Sequence, residues 1–494
     1  MNRPESDEST VAPTPDAPTV ARATAWAALD NWARQIVQLV TFMVIGNIVG
    51  PAVFGTMALA IIYLMIVRAF VVDGLAEAVI QRTIIERAHF ESVFWVLAAL
   101  GLVIAVFTYG IGAPAVAILF DQPQLTDIIR ALAVIFPVMG ASSLMESRLR
   151  RLLNFRVLAI RTGLAYGSAA VVGIAAAVGG YGIWSMVIYQ VWLGLYDFLS
   201  LIVLSRWLPR LSFSGRHLSD LMGFGLNNGG ARVVTFLSRS VDRILIGYFL
   251  DVLSLGLFGM ARRIVEGASM ALTGMMHAVA LPAFAKLQDD RPALCRAVYT
   301  STELASLVIL PAYVGLAVVA PDLIAALLGP AWSDAALVLQ ILCLGQAFLQ
   351  TSYFFGIAIV AVGRADLSLK LQVGAFFLRI VAILFAVKYG IVAVTLADLV
   401  VTLLIYPAWV VAAQRMIGLD FWHFIRLFRP ALAATGAMAA AILAIGTWLL
   451  ADAGAELRLV IMIPIGIAVY CGALFVVGRR SLDQARQAFR RDPA

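Results

Sequence analysis

Apolar runs of about 20 residues recur along this chain from near residue 25 to near residue 478. Each is long enough to cross roughly 30 Å of hydrocarbon as an α-helix. Of the 494 residues, 62% are hydrophobic and only 13% are charged, about half the charge of a soluble globular chain. The chain therefore reads as an all-α polytopic membrane protein. Hydrophobic periodicity gives about fourteen spans, centred near residues 38, 62, 103, 135, 169, 193, 232, 268, 308, 346, 376, 401, 440 and 467.

The opening MNRPESDESTVAPTPDAPTV lacks the apolar stretch of a signal peptide, and residues 1–24 read as a short disordered cytosolic tail. Cys295, Cys343 and Cys471 lie far apart, as do His89, His217, His277 and His423. Neither a disulfide nor a metal site is expected from these spacings, and no cofactor is implied.

Charge sets the orientation. Of the 36 Lys and Arg, 25 fall in the tails and even-numbered loops, 2 (Lys388 and Arg458) in odd-numbered loops, and 9 inside spans. The positive-inside rule puts both termini and the basic loops, such as ESRLRRLLNFRVLAIR and RWLPRLSFSGRH, in the cytoplasm. A basic face against anionic membrane lipid also accounts for the net charge of +7, with no nucleic acid needed.

The same orientation disfavours an enzyme. The longest outward connections have about 15 residues. APDLIAALLGPAWSD brings Asp322 and Asp334 without a His or Arg beside them. The chain has no GxSxG, no HExxH, no phosphate-cradling Gly-rich loop before a lysine, and no nucleotide-binding domain. A channel, a carrier or a scaffold remains.

Arginines inside the spans separate these classes. They are Arg34, Arg68, Arg130, Arg232, Arg239, Arg243, Arg262, Arg263 and Arg379, with Asp73, Glu77, Asp242, Glu266 and Asp398 among them. A mid-span arginine facing lipid costs about 2.5–3.5 kcal/mol, so most must face protein or water. Asn228, Arg232, Thr235, Arg239 and Asp242/Arg243 recur at helical intervals and form one stripe along span seven. Span eight repeats this with Arg262, Glu266, Ser269/Thr273 and His277, and span one more mildly with Asn31, Arg34/Gln35, Gln38 and Thr41.

Three stripes imply a shared wet interior. The competing reading is a dry set of pairs, Arg262 with Glu266 and Arg239 with Asp242. Seven arginines in spans one, two, seven and eight outnumber four acids, which favours a net-cationic cavity. Arg34 and Arg68 are equally explained by snorkelling toward the interface. Arg130 and Arg379 are expected to be structural.

A shift of 201 residues lays IGNIVGPAVFGTMALA (Ile45 to Ala60) on IGYFLDVLSLGLFGMA (Ile246 to Ala261), matching Gly46/Gly55 to Gly247/Gly256. Two pseudo-symmetric lobes around a central cavity follow from such a repeat. The expected organisation is a tail at 1–24, an N-terminal lobe at 25–205, a cytoplasmic linker at 206–218, a C-terminal lobe at 219–415, two additional helices at 416–478, and a basic tail at 479–494.

NIVGPAVFGTMALA, GLAEAVIQR, and SVDRILIGYFLDVLSLGLFGMARRI followed by VALPAFAKLQDD are ordered and spaced as in a known family. The chain resembles the Wzx-type polysaccharide flippases of the multidrug/oligosaccharidyl-lipid/polysaccharide exporter superfamily, in their colanic-acid and succinoglycan branch, from about residue 25 to 480. It departs at Asp251 and Val252, in an outward turn, where the family commonly has a Gly followed by an acid or Ala.

The resemblance implies a bacterial inner-membrane carrier serving exopolysaccharide or lipopolysaccharide synthesis. Its substrate would be an oligosaccharide repeat unit on undecaprenyl pyrophosphate, with a polysaccharide polymerase and a chain-length regulator as partner proteins. Arginine forks suit such an anionic headgroup, and Arg34, Arg232, Arg239, Arg243, Arg262 and Arg263 are the expected substrate-binding residues. An ion-coupled multidrug antiporter of the same superfamily is the alternative, and it would be lined by net acid. With no ATPase, a proton or sodium gradient would supply the energy through a carboxylate inside a span. Glu266, Asp242 and Asp398 are the candidates, with Glu266 foremost.

Overall fold

The computed structural model describes residues 17–69, 74–81, 85–151, 154–205, 207, 209–351 and 353–477, and among them every regular element is helical. In chain order these are α1 (Ala17–Val49), α2 (Pro51–Arg68), α3 (Gly74–Gln81), α4 (Arg87–Phe107), α5 (Ala113–Leu119), α6 (Leu125–Ala133) and α7 (Phe136–Arg151). Next come α8 (Phe155–Val178), α9 (Trp184–Ser205), α10 (Gly215–Phe249), α11 (Val252–Lys286), α12 (Arg291–Leu328) and α13 (Ala335–Thr351). The last are α14 (Tyr353–Ala361), α15 (Ala365–Ala386), α16 (Ile391–Ile417), α17 (Phe421–Leu427), α18 (Arg429–Ala444) and α19 (Ala455–Val477).

Eleven described helices are long and apolar enough to cross a membrane, and a twelfth is added if α6 and α7 form one bent span. α10 and α11 have 35 residues each, roughly 50 Å at 1.5 Å per residue, and are not among these candidate spans. These two carry the arginine stripes, and the eleven or twelve candidate spans among the described residues fall short of the fourteen expected. α1 begins at Ala17, eight residues before the expected first span. The Ala-rich run from Ala17 to Ala28 favours that extension.

The bend of 46° between α6 and α7 has a local cause. Pro137 has no N–H to offer the carbonyl of Ala133, and its ring would crowd that carbonyl. α6 ends at Ala133. Gly101 of α4 lies against the bend, where the backbone of Phe136 and Pro137 leaves no room for a Cβ.

Packing divides the chain into two compact units, Met1–Gly256 and Leu257–Ala494. In the first, α1 packs on α8, α8 on α9, α4 on α7, and α3 on α10. Its core joins Val93, Leu97, Leu144, Leu149, Leu201 and Trp207. In the second, α12 packs on α13 and α18, α15 on α16, and α18 on α19, with Met438, Ile442, Met462 and Tyr470 in one core. The outer faces stay apolar. Val103, Val171, Val203, Leu404 and Val460 are each more than 60% exposed, a surface suited to lipid and costly in water.

The internal repeat has a physical counterpart inside the first unit. A Cβ on Gly55 would collide with the carbonyl of Val252, and one on Gly256 with the carbonyl of Pro51. Pro51 and Val252 are themselves 201 residues apart. The contact is reciprocal, and glycine at both places lets the two backbones touch.

Candidate functional site

α10 carries the stripe in the first unit. Gly225 and Gly229 meet Gly74 of α3 so closely that none of the backbone there admits a Cβ on Gly74. This approach brings Glu77, one turn beyond Gly74, within reach of α10. One Glu77 carboxylate oxygen accepts from the Arg232 guanidinium and the other from the Asn228 amide. Further along, Arg239 is exposed, and among the described residues its guanidinium has no ion pair. Asp242 is only 5% exposed and accepts the backbone N–H of Arg243 at 2.8 Å. The Arg243 side chain reaches back to the Arg239 carbonyl at 3.4 Å. The Arg239–Asp242 pair weighed on spacing is therefore not formed.

The α1 stripe is less uniform. Arg34 is half-buried and lies 3.2 Å from the Asn31 side-chain oxygen and 3.9 Å from Asp30. Thr41 is buried and donates to the Val37 carbonyl at 2.6 Å, so it belongs to the helix interior. Arg130, as expected, is structural: it donates to the Tyr109 carbonyl at 3.0 Å and sits over the Tyr109 ring.

Sequence reasoning missed one ionic cluster in this unit. Arg161 of α8 is buried, donates to Asp197 of α9 at 3.1 Å, and lies 3.9 Å from Glu146 of α7. Arg150 holds the same Glu146 at 2.6 Å. The signal was present: Asp197 is a lone acid in the middle of an apolar span, the kind of residue that marks function or an internal partner.

In the second unit, Arg262 of α11 lies 3.3 Å from Glu266 and 3.9 Å from Asp398 of α16. Arg379 of α15 contacts Asp398 at 2.5 Å, although the two are not aligned for a hydrogen bond. Arg262, Arg379 and Asp398 line a cavity of about 60 Å³ with Gln346, Thr395 and Thr402, enough for a water or two. Arg379, expected to be structural, thus shares the carboxylate named as a coupling candidate. Glu266 is 50% exposed. Arg263 is half-buried. The Ser269 hydroxyl is 2.6 Å from the Tyr313 hydroxyl of α12, which ties that stripe member to a neighbouring helix. Asp73 lies outside the described residues, as do the side chains of Thr273 and His277.

Comparison with known proteins agrees with the resemblance read from the motifs. A family model described as "Polysaccharide biosynthesis protein" matches residues 44–337. The succinoglycan biosynthesis transport protein ExoT of Rhizobium meliloti is 25% identical over 396 residues, covering 80% of this chain and 79% of that protein. The teichuronic acid biosynthesis protein TuaB of Bacillus subtilis is 26% identical over 456 residues, covering 90% and 93%. Among solved structures, the lipid II flippase MurJ in an inward closed conformation superimposes with a TM-score of 0.71 at 14% identity, covering 94% of this chain and 100% of that chain. At that identity the likeness speaks to the fold.

Proposed function

The chain belongs to the polysaccharide biosynthesis protein family over residues 44–337, and from that premise we propose that it is a flippase for lipid-linked oligosaccharide repeat units. The cargo is an oligosaccharide on undecaprenyl pyrophosphate, carried from the cytoplasmic to the periplasmic leaflet of a bacterial inner membrane for exopolysaccharide or lipopolysaccharide synthesis. The sugar and pyrophosphate travel through the protein while the lipid tail stays in the bilayer. It moves its cargo without changing a covalent bond.

One observation carries the reading: Arg239 is exposed on a helix of a membrane protein, and among the described residues its guanidinium has no ion pair. Such a charge is too costly to leave against lipid, and a guanidinium fork matches a phosphate or sugar carboxylate. Arg232, Arg243, Arg262, Arg263 and Arg34 extend the cationic set. For energy coupling, Glu266 is the better carboxylate. If it takes up a proton, Arg262 still has Asp398. Neutralising Asp398 instead would leave Arg379 without its carboxylate, with only Arg262 keeping an acid in Glu266.

Deletion is expected to abolish the surface polysaccharide and to leave repeat units facing the cytoplasm. Intact polysaccharide with altered resistance to cationic drugs would replace this reading with the multidrug antiporter. Cytoplasmic termini predict that a cysteine beside Arg291 is shielded from impermeant thiol reagents in intact cells and one beside Pro330 is labelled. The opposite labelling would invert the orientation.

A further inference from the structure

We propose that Glu86, His89 and His217, backed by Asp220, form a binding site for a divalent transition metal of the zinc class. The two histidines are 128 residues apart in the sequence, and their spacing alone gave no reason to join them. Folding does so inside the first unit. Glu86 is the N-cap of α4 and His89 lies in its first turn. α10 starts at Gly215, so His217 and Asp220 lie three residues apart on one face of its first turns.

The geometry approaches that of a bound ion. One ligand atom from each of Glu86, His89 and His217 lies within 4.8 Å of the other two. His217 Nε2 is 3.1 Å from Glu86 Oε2, and His89 Nε2 is 3.8 Å from Asp220 Oδ2. Zinc bonds of about 2.0–2.2 Å in a tetrahedron hold ligand atoms roughly 3.3 Å apart. Shifts on the order of 1 Å therefore complete the site. Two imidazoles with carboxylates favour zinc, cobalt or nickel over magnesium or calcium.

The surroundings orient the ligands. The Ser214 hydroxyl lies 2.6 Å from His217 Nδ1 and can accept its proton, which leaves Nε2 free to bind, the usual outer-shell arrangement. His89 is 3% exposed and its ring meets that of His217 edge to face at 4.5 Å, so its position is held by packing. Its Nδ1 accepts the Glu86 N–H at 3.2 Å. Ligation through Nε2 moves the ring proton to Nδ1 and gives up that one neutral hydrogen bond in exchange for a metal–nitrogen bond.

A bound ion would clamp the start of α4 to the start of α10. The intervening segment already docks on α4: Trp95 donates to the Arg210 carbonyl at 2.8 Å, and the Ser214 N–H to the Ser92 hydroxyl at 2.9 Å.

The test uses the untagged full chain, purified in detergent and stripped with a chelator. It is titrated with Zn²⁺ against a chromophoric competitor, and separately with Co²⁺ read by its visible absorption. One Zn²⁺ per chain is expected, together with the intense bands of four-coordinate Co²⁺. His217→Gln and Glu86→Gln should each weaken Zn²⁺ binding at least tenfold while eluting and scattering like the parent. If His217→Gln does not fold, Glu86→Gln, which keeps an oxygen for the cap, decides alone. Zn²⁺ titrations that match between parent and Glu86→Gln, or a Co²⁺ spectrum like that of the free aquo ion, would overturn the site.

Discussion

The arginines of the two compact units are treated differently by their surroundings. In the first unit, Glu77 holds Arg232 and Asn228 together, and Arg239, two turns further along α10, is left exposed with no acid paired to it among the described residues. In the second, Arg262 and Arg379 converge on Asp398 beside a small cavity, and Glu266 adds a second acid to Arg262. One region offers a positive charge outward, and the other spends its charges on itself. Residue type alone does not make a binding site; a guanidinium with a permanent carboxylate partner has less to give a ligand than one without.

Substitutions can break this contrast. The largest effect is expected at Arg239. Arg239→Ala should abolish polysaccharide export at unchanged membrane level, with Arg232→Ala weaker because Glu77 already occupies that side chain. Arg239→Lys should be partly active, since charge survives and the planar fork does not. Wild-type export from Arg239→Ala would remove the distinction between the two regions.

Asp398→Asn comes next, and it should act on stability. Leaving the half-buried Arg379 without its carboxylate costs about 3 kcal/mol, read as a lower melting temperature of the purified protein. A melting temperature equal to the parent's would mean that water already shares the load. Glu266→Gln should be mildest in stability, because Arg262 keeps Asp398. Its expected signature is a severalfold loss of gradient-dependent transport, and undiminished gradient dependence would leave Glu266 a structural partner.

The elements legible in sequence were those that depend on local pattern. Apolar length marked the spans, and the spacing of Arg232, Arg239, Arg262 and Glu266 marked the polar faces of α10 and α11. The glycines of the 201-residue echo pointed to a real contact, that of Gly55 with Gly256. What escaped depends on which helix packs on which. Arg161 read as the end of a basic loop, and only the packing of α8 on α9 turns it into the partner of Asp197. Asp398 and Arg379 lie on neighbouring helices whose register no single-helix periodicity reveals. His89 and His217 seemed unrelated for the same reason.

In the proposed function, exposed cationic side chains on α10 carry an anionic, lipid-linked sugar across the bilayer. The most direct test of this is flipping of an undecaprenyl-pyrophosphate oligosaccharide by purified protein in proteoliposomes, measured as the fraction of substrate that becomes accessible to an external glycosidase. Parent protein should move the substrate well above the rate of empty liposomes under an imposed ion gradient, and Arg239→Ala should fall to that background. Equal flipping by the parent and Arg239→Ala, or none by the parent under a proton or sodium gradient, would contradict the account.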